Sequence, residues 1–221
     1  NYFERIKNTF FKDLTTLNEV LTTNSSDQDT SGFDLITIRT FFANANDSIK
    51  VHYQIGIDLN RESAEGVRIE NNTKQIGDYA TFASLEYKPF QSTIVRPGIR
   101  YTYNTEYEAP ILPSINVKQT LKKINIIASY AKGFRAPSLK ELHFNFVDVN
   151  HNIVGNNNLL AETSNNFNLA VNYSRLKKAF LLKVEVASFY NKIDDLITLA
   201  QITGTEYSYV NVGSFSTNGI Q

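Results

Sequence analysis

The sequence predicts an all-β chain, an antiparallel up-and-down meander of about ten strands that forms a partial transmembrane β-barrel. Three observations carry this reading. Segments alternate between apolar and polar residues with a period of two, the mark of a strand with two different faces. The clearest of them is about twice as long as the ~5–6 residues usual for globular strands. Short and long connections also alternate, so tight turns gather at one rim of the sheet and large polar loops at the other.

The clearest strand is Ile49 to Asn60, where Ile49, Val51, Tyr53, Ile55, Ile57 and Leu59 alternate with Lys50, His52, Gln54, Gly56, Asp58 and Asn60. At ~3.3 Å per residue it reaches about 40 Å, enough to cross most of a ~25 Å apolar band even when tilted by ~45°. Val95, Pro97, Ile99, Tyr101 and Tyr103 face away from Arg96, Gly98, Arg100, Thr102 and Asn104. A proline at that site implies an edge or a bulge. Phe167, Leu169, Val171 and Tyr173 alternate with small and amide residues, and Phe180, Leu182, Val184 and Val186 alternate with a face that holds Lys183 and Glu185. Weaker segments at 1–11, 33–43, 78–88, 112–119, 123–134 and 206–217 complete the set. Connections near 44–48, 89–92, 120–122 and 176–178 are short, while those near 12–32, 61–77, 105–111, 135–163 and 194–205 are mostly long.

A soluble β-sandwich also alternates, because one face of each sheet packs on the core. Periodicity alone does not separate the two. Strand length and rim asymmetry favour the barrel, as does a polar face that stays polar through Arg39, Lys50, His52, Arg96 and Arg100, as a wet lumen requires. With Tyr 12, Phe 15 and Trp 0, an interfacial girdle has to be built from tyrosine, and the missing tryptophan counts mildly against a membrane barrel.

Composition closes off other classes. The 221 residues are 42% hydrophobic, enough for one large domain, and no linker or second domain interrupts 1–221. Lys plus Arg is 22 and Asp plus Glu is 22, so the basic field that a nucleic-acid partner requires is missing. Without cysteine there is no disulfide, thiolate metal site or cysteine nucleophile. The apolar runs around Ile124 to Tyr130 and Ala179 to Leu182 fall far short of the ~20 residues of a spanning helix. Methionine is absent and the chain opens at Asn1, so it reads as an excised piece, with any export signal outside it. Phosphate-cradling glycine loops, zinc-ligand clusters, nucleophile elbows and calcium loops are not found, and no enzyme is expected.

Residues 130–165 read YAKGFRAPSLKELHFNFVDVNHNIVGNNNLLAETSN, with strands on either side. The run Gly133-Phe134-Arg135-Ala136-Pro137, then Gly155-Asn156-Asn157-Asn158-Leu159 and Ala161-Glu162-Thr163-Ser164-Asn165, resembles the barrel of TonB-dependent outer-membrane receptors, where an FRAP box and an NPxLxPE box share one extracellular loop. GDYATFASLEYKP at Gly77 to Pro89 and the segment Arg96 to Lys118 look like the same barrel. Asn157 and Ala161 stand where that second box has prolines, which predicts a less rigid loop because proline's fixed φ is lost twice. No plug domain or energy-coupling box is present in the sequence.

The resemblance implies active import of an iron complex, a ferric siderophore or haem, or of cobalamin, across the bacterial outer membrane. The TonB complex would act through a plug, surrounded by outer-membrane lipid. Haem or a ferric siderophore enters as transported ligand, and no resident cofactor is expected. A soluble carbohydrate-binding or adhesive β-sandwich is the alternative function, and a passive porin a third. Exposed edges and an apolar outer face predict that the isolated chain associates with itself.

The candidate ligand-binding loop contains Arg135, His143, His151, Asn156 and Asn158. Arg135 carries a planar five-donor fork suited either to an anionic ligand or to tying down its own loop. Pro137 forces Ala136 out of helical geometry. His143 and His151 lie between the two boxes, and the resemblance implies that His151 is the better placed to ligate haem iron, although both also fit as ordinary surface residues. His52 is expected on the lumen wall. Asp194 and Asp195 would point to opposite faces of a strand and are expected to begin a solvated loop, without chemistry.

Overall fold

The computed structural model describes every residue except 1, 9–10, 13–18, 21–29, 45–50, 67, 72, 148–151 and 178–179. Its elements in chain order are β1 (Tyr2–Asn8), β2 (Phe11–Lys12), β3 (Glu19–Val20), β4 (Thr30–Ala43), β5 (Val51–Gly66), β6 (Thr73–Phe90), β7 (Thr93–Asn104), β8 (Leu112–Leu121) and β9 (Ile124–Arg135). Helix α1 (Leu139–His143) follows, then β10 (Phe146–Val147), β11 (Asn152–Val154), β12 (Glu162–Lys177), β13 (Phe180–Thr203) and β14 (Glu206–Ile220). The ten long strands pair antiparallel in chain order, β1-β4-β5-β6-β7-β8-β9-β12-β13-β14. That is the predicted meander.

Register shows why the alternation matters. One hydrogen-bonded row runs Gln54, Ser84, Gly98, Ser114, Ala131, Asn166 and Asn191 across seven strands, polar or small at every step. One residue along, Pro97, Ile115, Tyr130, Phe167 and Tyr190 form a row on the opposite face. A period of two on every strand thus becomes one wet surface and one apolar surface for the sheet as a whole. The apolar side is not packed away, since Ile55, Ile99 and Leu169 keep 55%, 51% and 47% of their surface. A sandwich needs these side chains to meet those of a second sheet. Here the other sheet among the described residues is the small β2-β3 ribbon.

The apolar band has an upper margin written in side chains. Outward along β12 come Val171, Leu169 and Phe167, then Asn165; along β13 come Val186 and Tyr190, then Lys192 and Asp194. At that margin the Phe167 ring lies 4.8 Å from Tyr130 and 6.3 Å from Tyr190, and the Tyr130 hydroxyl donates to Asn165 Oδ1 at 2.9 Å. Rings with an apolar body and a polar tip belong where acyl chains give way to water.

Four expectations are corrected. β5 runs on to Gly66 and β6 begins at Thr73, so the connection expected at 61–77 shrinks to 67–72. β13 continues to Thr203 and turns into β14 through Gly204 and Thr205 alone, so the last connection at the loop rim is tight and the strict alternation fails there. Gly204 makes this possible with a φ of 49°. Asp194 and Asp195 consequently lie inside β13, where Asp194 pairs with Lys192 at 3.0 Å and Asp195 takes a left-handed φ of 58°. Pro97 is on neither an edge nor a named bulge; its missing N–H falls where the β6–β7 ladder skips from Ser84↔Gly98 to Tyr87↔Val95.

Candidate functional site

The described residues of the 136–161 connection form a folded cap over the loop rim. Its first fixed point is Pro137, fully buried, followed by a one-turn helix. Ser138 caps that helix: its Oγ accepts from the Glu141 amide, and Glu141 Oε2 accepts from the Ser138 amide at 2.7 Å. This reciprocal arrangement satisfies donors that a short helix otherwise leaves bare. Leu139, 1% exposed, drops into a cluster with Ala64, Ile69 and Ile76, and Leu142 into another with Leu159 and Ile197. Tyr107 packs against both. The cap therefore joins the 67–72 loop, the 105–111 loop and the β13-β14 hairpin, which are far apart in sequence.

Arg135 is the centre of its polar support. Nε and Nη2 donate to Glu162 Oε2 and Oε1 at 2.7 and 2.6 Å, and Nη1 donates to Glu141 Oε2 at 2.9 Å. The fork joins the end of β9, the start of β12 and the capping helix. Glu162 Oε1 also accepts the Ile197 amide at 2.7 Å, bringing in β13. The Glu162 hydrogen bond, then that of Glu141, holds the guanidinium pKa above its ordinary value. Burial works to raise the Glu141 carboxyl, but Arg135 and Ser138 outweigh it and keep it below the ordinary range.

His143, half-buried, sets Nδ1 3.0 Å from Glu70 Oε2, while its carbonyl accepts the Glu70 amide at 3.1 Å. Asn145 donates its amide to the Arg68 carbonyl at 2.8 Å, so the 67–72 loop and the cap are zipped along their backbones. Asn157, in the place of a proline, donates to the same Glu70 carboxylate at 2.8 Å. The Asn157 bond, followed by that of His143, lowers the Glu70 pKa.

Asn156 donates to the Tyr209 carbonyl at 2.8 Å and accepts the Asn158 amide at 2.9 Å. Asn158 is exposed. Gly155 lies so close to the helix that a Cβ would stand 2.5 Å from the Leu142 carbonyl oxygen. The structure brings Arg135, His143, Asn156 and Asn158 into one loop, the first three as internal ties. His151 lies outside the described residues. His52 faces inward beside Gln54, Ser84 and Arg96, in a hollow of about 410 Å³.

Residues not singled out by sequence carry much of this geometry. Glu162 and Glu141 complete the Arg135 clamp, Glu70 ties the second loop, and Asn211 accepts the Leu160 amide at 2.8 Å while donating to the Leu160 and Asp195 carbonyls. Among the described residues, no group of three or more metal-ligating side chains converges.

A family model described as TonB dependent receptor-like, beta-barrel matches residues 1–221. The chain belongs to that family. Its members are receptors and transporters of the bacterial outer membrane rather than enzymes. Solved structures agree in fold. A mutant of the ferric enterobactin receptor PfeA from Pseudomonas aeruginosa superimposes with a TM-score of 0.73 at 16% identity, over 99% of this chain and 37% of that one. The siderophore receptor PirA from the same organism gives 0.69 at 18% identity, over 86% and 36%. A double mutant of the hemophore receptor HasR from Serratia marcescens, in complex with HasA and heme, gives 0.68 at 15% identity, over 87% and 39%. The chain thus spans well under half the length of these structures. Among curated proteins, no sequence matches it.

Proposed function

We propose that the chain forms part of the wall and rim of an outer-membrane importer for an iron complex, a ferric siderophore or haem, with cobalamin as the remaining class. Energy would come from the TonB complex through a plug. The observation that supports this most is the pairing of a two-faced membrane sheet with a braced cap at its loop rim. A passive pore needs the wall but not a cap tied at Arg135, Glu70 and Asn211.

In this reading the cap holds exposed groups such as Asn158 above the lumen for an external ligand, and the wall gives that ligand a polar surface. His151 remains the proposed haem-iron ligand. The test is growth of a strain lacking its other iron receptors, complemented with the intact receptor, on hemin, a ferric tris-catecholate or a ferric trihydroxamate as sole iron source. Growth on one of these that disappears when TonB is removed is expected; growth on none sinks the reading. If haem is the cargo, hemin should produce a Soret shift that His151→Ala abolishes.

The outer face leads to a second expectation. Phe42, Phe180 and Ile55, 79%, 66% and 55% exposed, are side chains that water does not tolerate in number. The isolated chain should pair with copies of itself or require detergent. A monodisperse, detergent-free monomer in light scattering contradicts that.

A further inference from the structure

Four adjacent strands bring two aromatic rings and two guanidiniums onto one patch of the inner face. In one row Phe41 stands opposite Gly56, Gly56 opposite Phe82, and Phe82 opposite Arg100. In the next, Arg39 stands opposite Asp58, Asp58 opposite Ala80, and Ala80 opposite Thr102. A Cβ on Gly56 would stand 2.8 Å from Phe41 Cβ and collide with the Phe82 ring. The glycine is what leaves room for the Phe82 ring over this point of the wall and for the close approach of the Phe41 Cβ. Neither ring is needed for a polar lumen, and neither belongs to the outer apolar face.

The two arginines converge on one oxygen. Arg39 Nη2 and Arg100 Nη1 lie 2.6 and 2.8 Å from Asp58 Oδ2. Asp58 is 3% exposed, and its Oδ1 is buried with no hydrogen-bond partner among the described residues. Asp78, one row nearer the loop rim, is the next acidic group on this face. Exposure separates the signs: the Arg39 side chain is 62% exposed and the Asp58 side chain 4%. Phe41 is 54% exposed. A solute in the lumen therefore meets a guanidinium and a ring, with the acid that orients them beneath. A delocalised guanidinium both stacks on flat π-systems and donates in a fork to oxyanions, and an adjacent ring adds offset stacking.

We propose that Phe41, Phe82, Arg39 and Arg100 form a lumen-wall subsite for a planar aromatic group that carries negative charge, such as a catecholate or a porphyrin carboxylate, during its passage along the barrel. This inference rests on the import reading above and specifies the chemistry of the cargo. Asp58 is a positioning residue here: shared by both guanidiniums, it fixes where their remaining donors point.

The test uses the intact receptor in the complemented strain, with Arg39→Gln and Phe41→Leu as separate variants and heat-modifiable gel mobility to confirm folded barrels. Probes are hemin, a ferric tris-catecholate and a ferric trihydroxamate, which lacks aromatic rings. For an aromatic cargo, Arg39→Gln should lower the maximal uptake rate by about tenfold and Phe41→Leu by about threefold, with binding to de-energised cells changed less than about twofold. Trihydroxamate uptake should not respond. Unchanged aromatic uptake, equal losses for aromatic and non-aromatic cargo, or wild-type import of the trihydroxamate alone overturns the subsite. A wild-type receptor that imports none of the probes defeats the import reading itself.

Discussion

Replacing Arg135 with alanine is expected to loosen the 136–161 cap from its rim by about 2–3 kcal/mol. Breaking a buried ion pair costs about 3–5 kcal/mol because a charge is left uncompensated, and the figure is reduced here because the Arg135 side chain is 45% exposed. The loss should be local, since the fork joins β9, β12 and α1 while the strands below keep their ladders. The readout is amide exchange or protease protection of the cap in the intact receptor, with barrel mobility on gels unchanged.

The same variant should reverse the cap's response to acid. Glu141 has a folded pKa below its unfolded value, so its contribution is complete above the ordinary carboxylate pKa of about 4.3 and is lost as pH falls through the lowered one. Wild-type cap protection should thus hold from neutral pH down to about 5 and decline further into acid. Without Arg135, two largely buried carboxylates lose the cation they share. Burial then raises their pKa, and a raised carboxylate gains stability as pH falls. Protection of the Arg135→Ala cap should therefore increase between about pH 6 and 4. Parallel pH profiles for wild type and variant would show that Arg135 is not what holds Glu141 ionised.

How much of this was legible in sequence depends on what enforces each feature. The ten long strands were legible because lipid on one side and water on the other impose a period of two that local context does not override, as in Ile49 to Asn60. Their ends were not. Past Leu59 the outward residues are Arg61 and Ser63, polar on a strand that continues to Gly66, so alternation stops before the hydrogen bonds do. Asp194 and Asp195 looked like a loop for the same reason, in a strand that rises above the apolar band. The cap's location followed from its boxes, but its construction did not, because Glu162 meets Arg135 from 27 residues away and Asn157 meets Glu70 from 87. One local signal was present: Ser138-Leu139-Lys140-Glu141 has the spacing of a capping box and predicts the helix start on its own.

Leu139→Ala should have the largest effect of any single truncation in the cap, about 3–4 kcal/mol, within the range found for fully buried leucines. Leu139 is 1% exposed and is the cap's insertion into a cluster whose other members, Ala64, Ile69 and Ile76, belong to β5, the 67–72 loop and β6. The void has little means of closing, because Ala64 and Ile76 are fixed in paired strands and the capping box fixes the backbone of the helix. Leu160 supplies the control: it is 57% exposed in the same loop, and Leu160→Ala should change cap protection by less than about 0.5 kcal/mol. If burial under the cap is what seats it, the two leucines must separate by a factor of more than about 50 in the exchange rates of residues 138–145. Equal effects would mean that the hydrogen bonds at Glu70, Arg135 and Asn211 hold the cap by themselves, with the apolar cluster as filling.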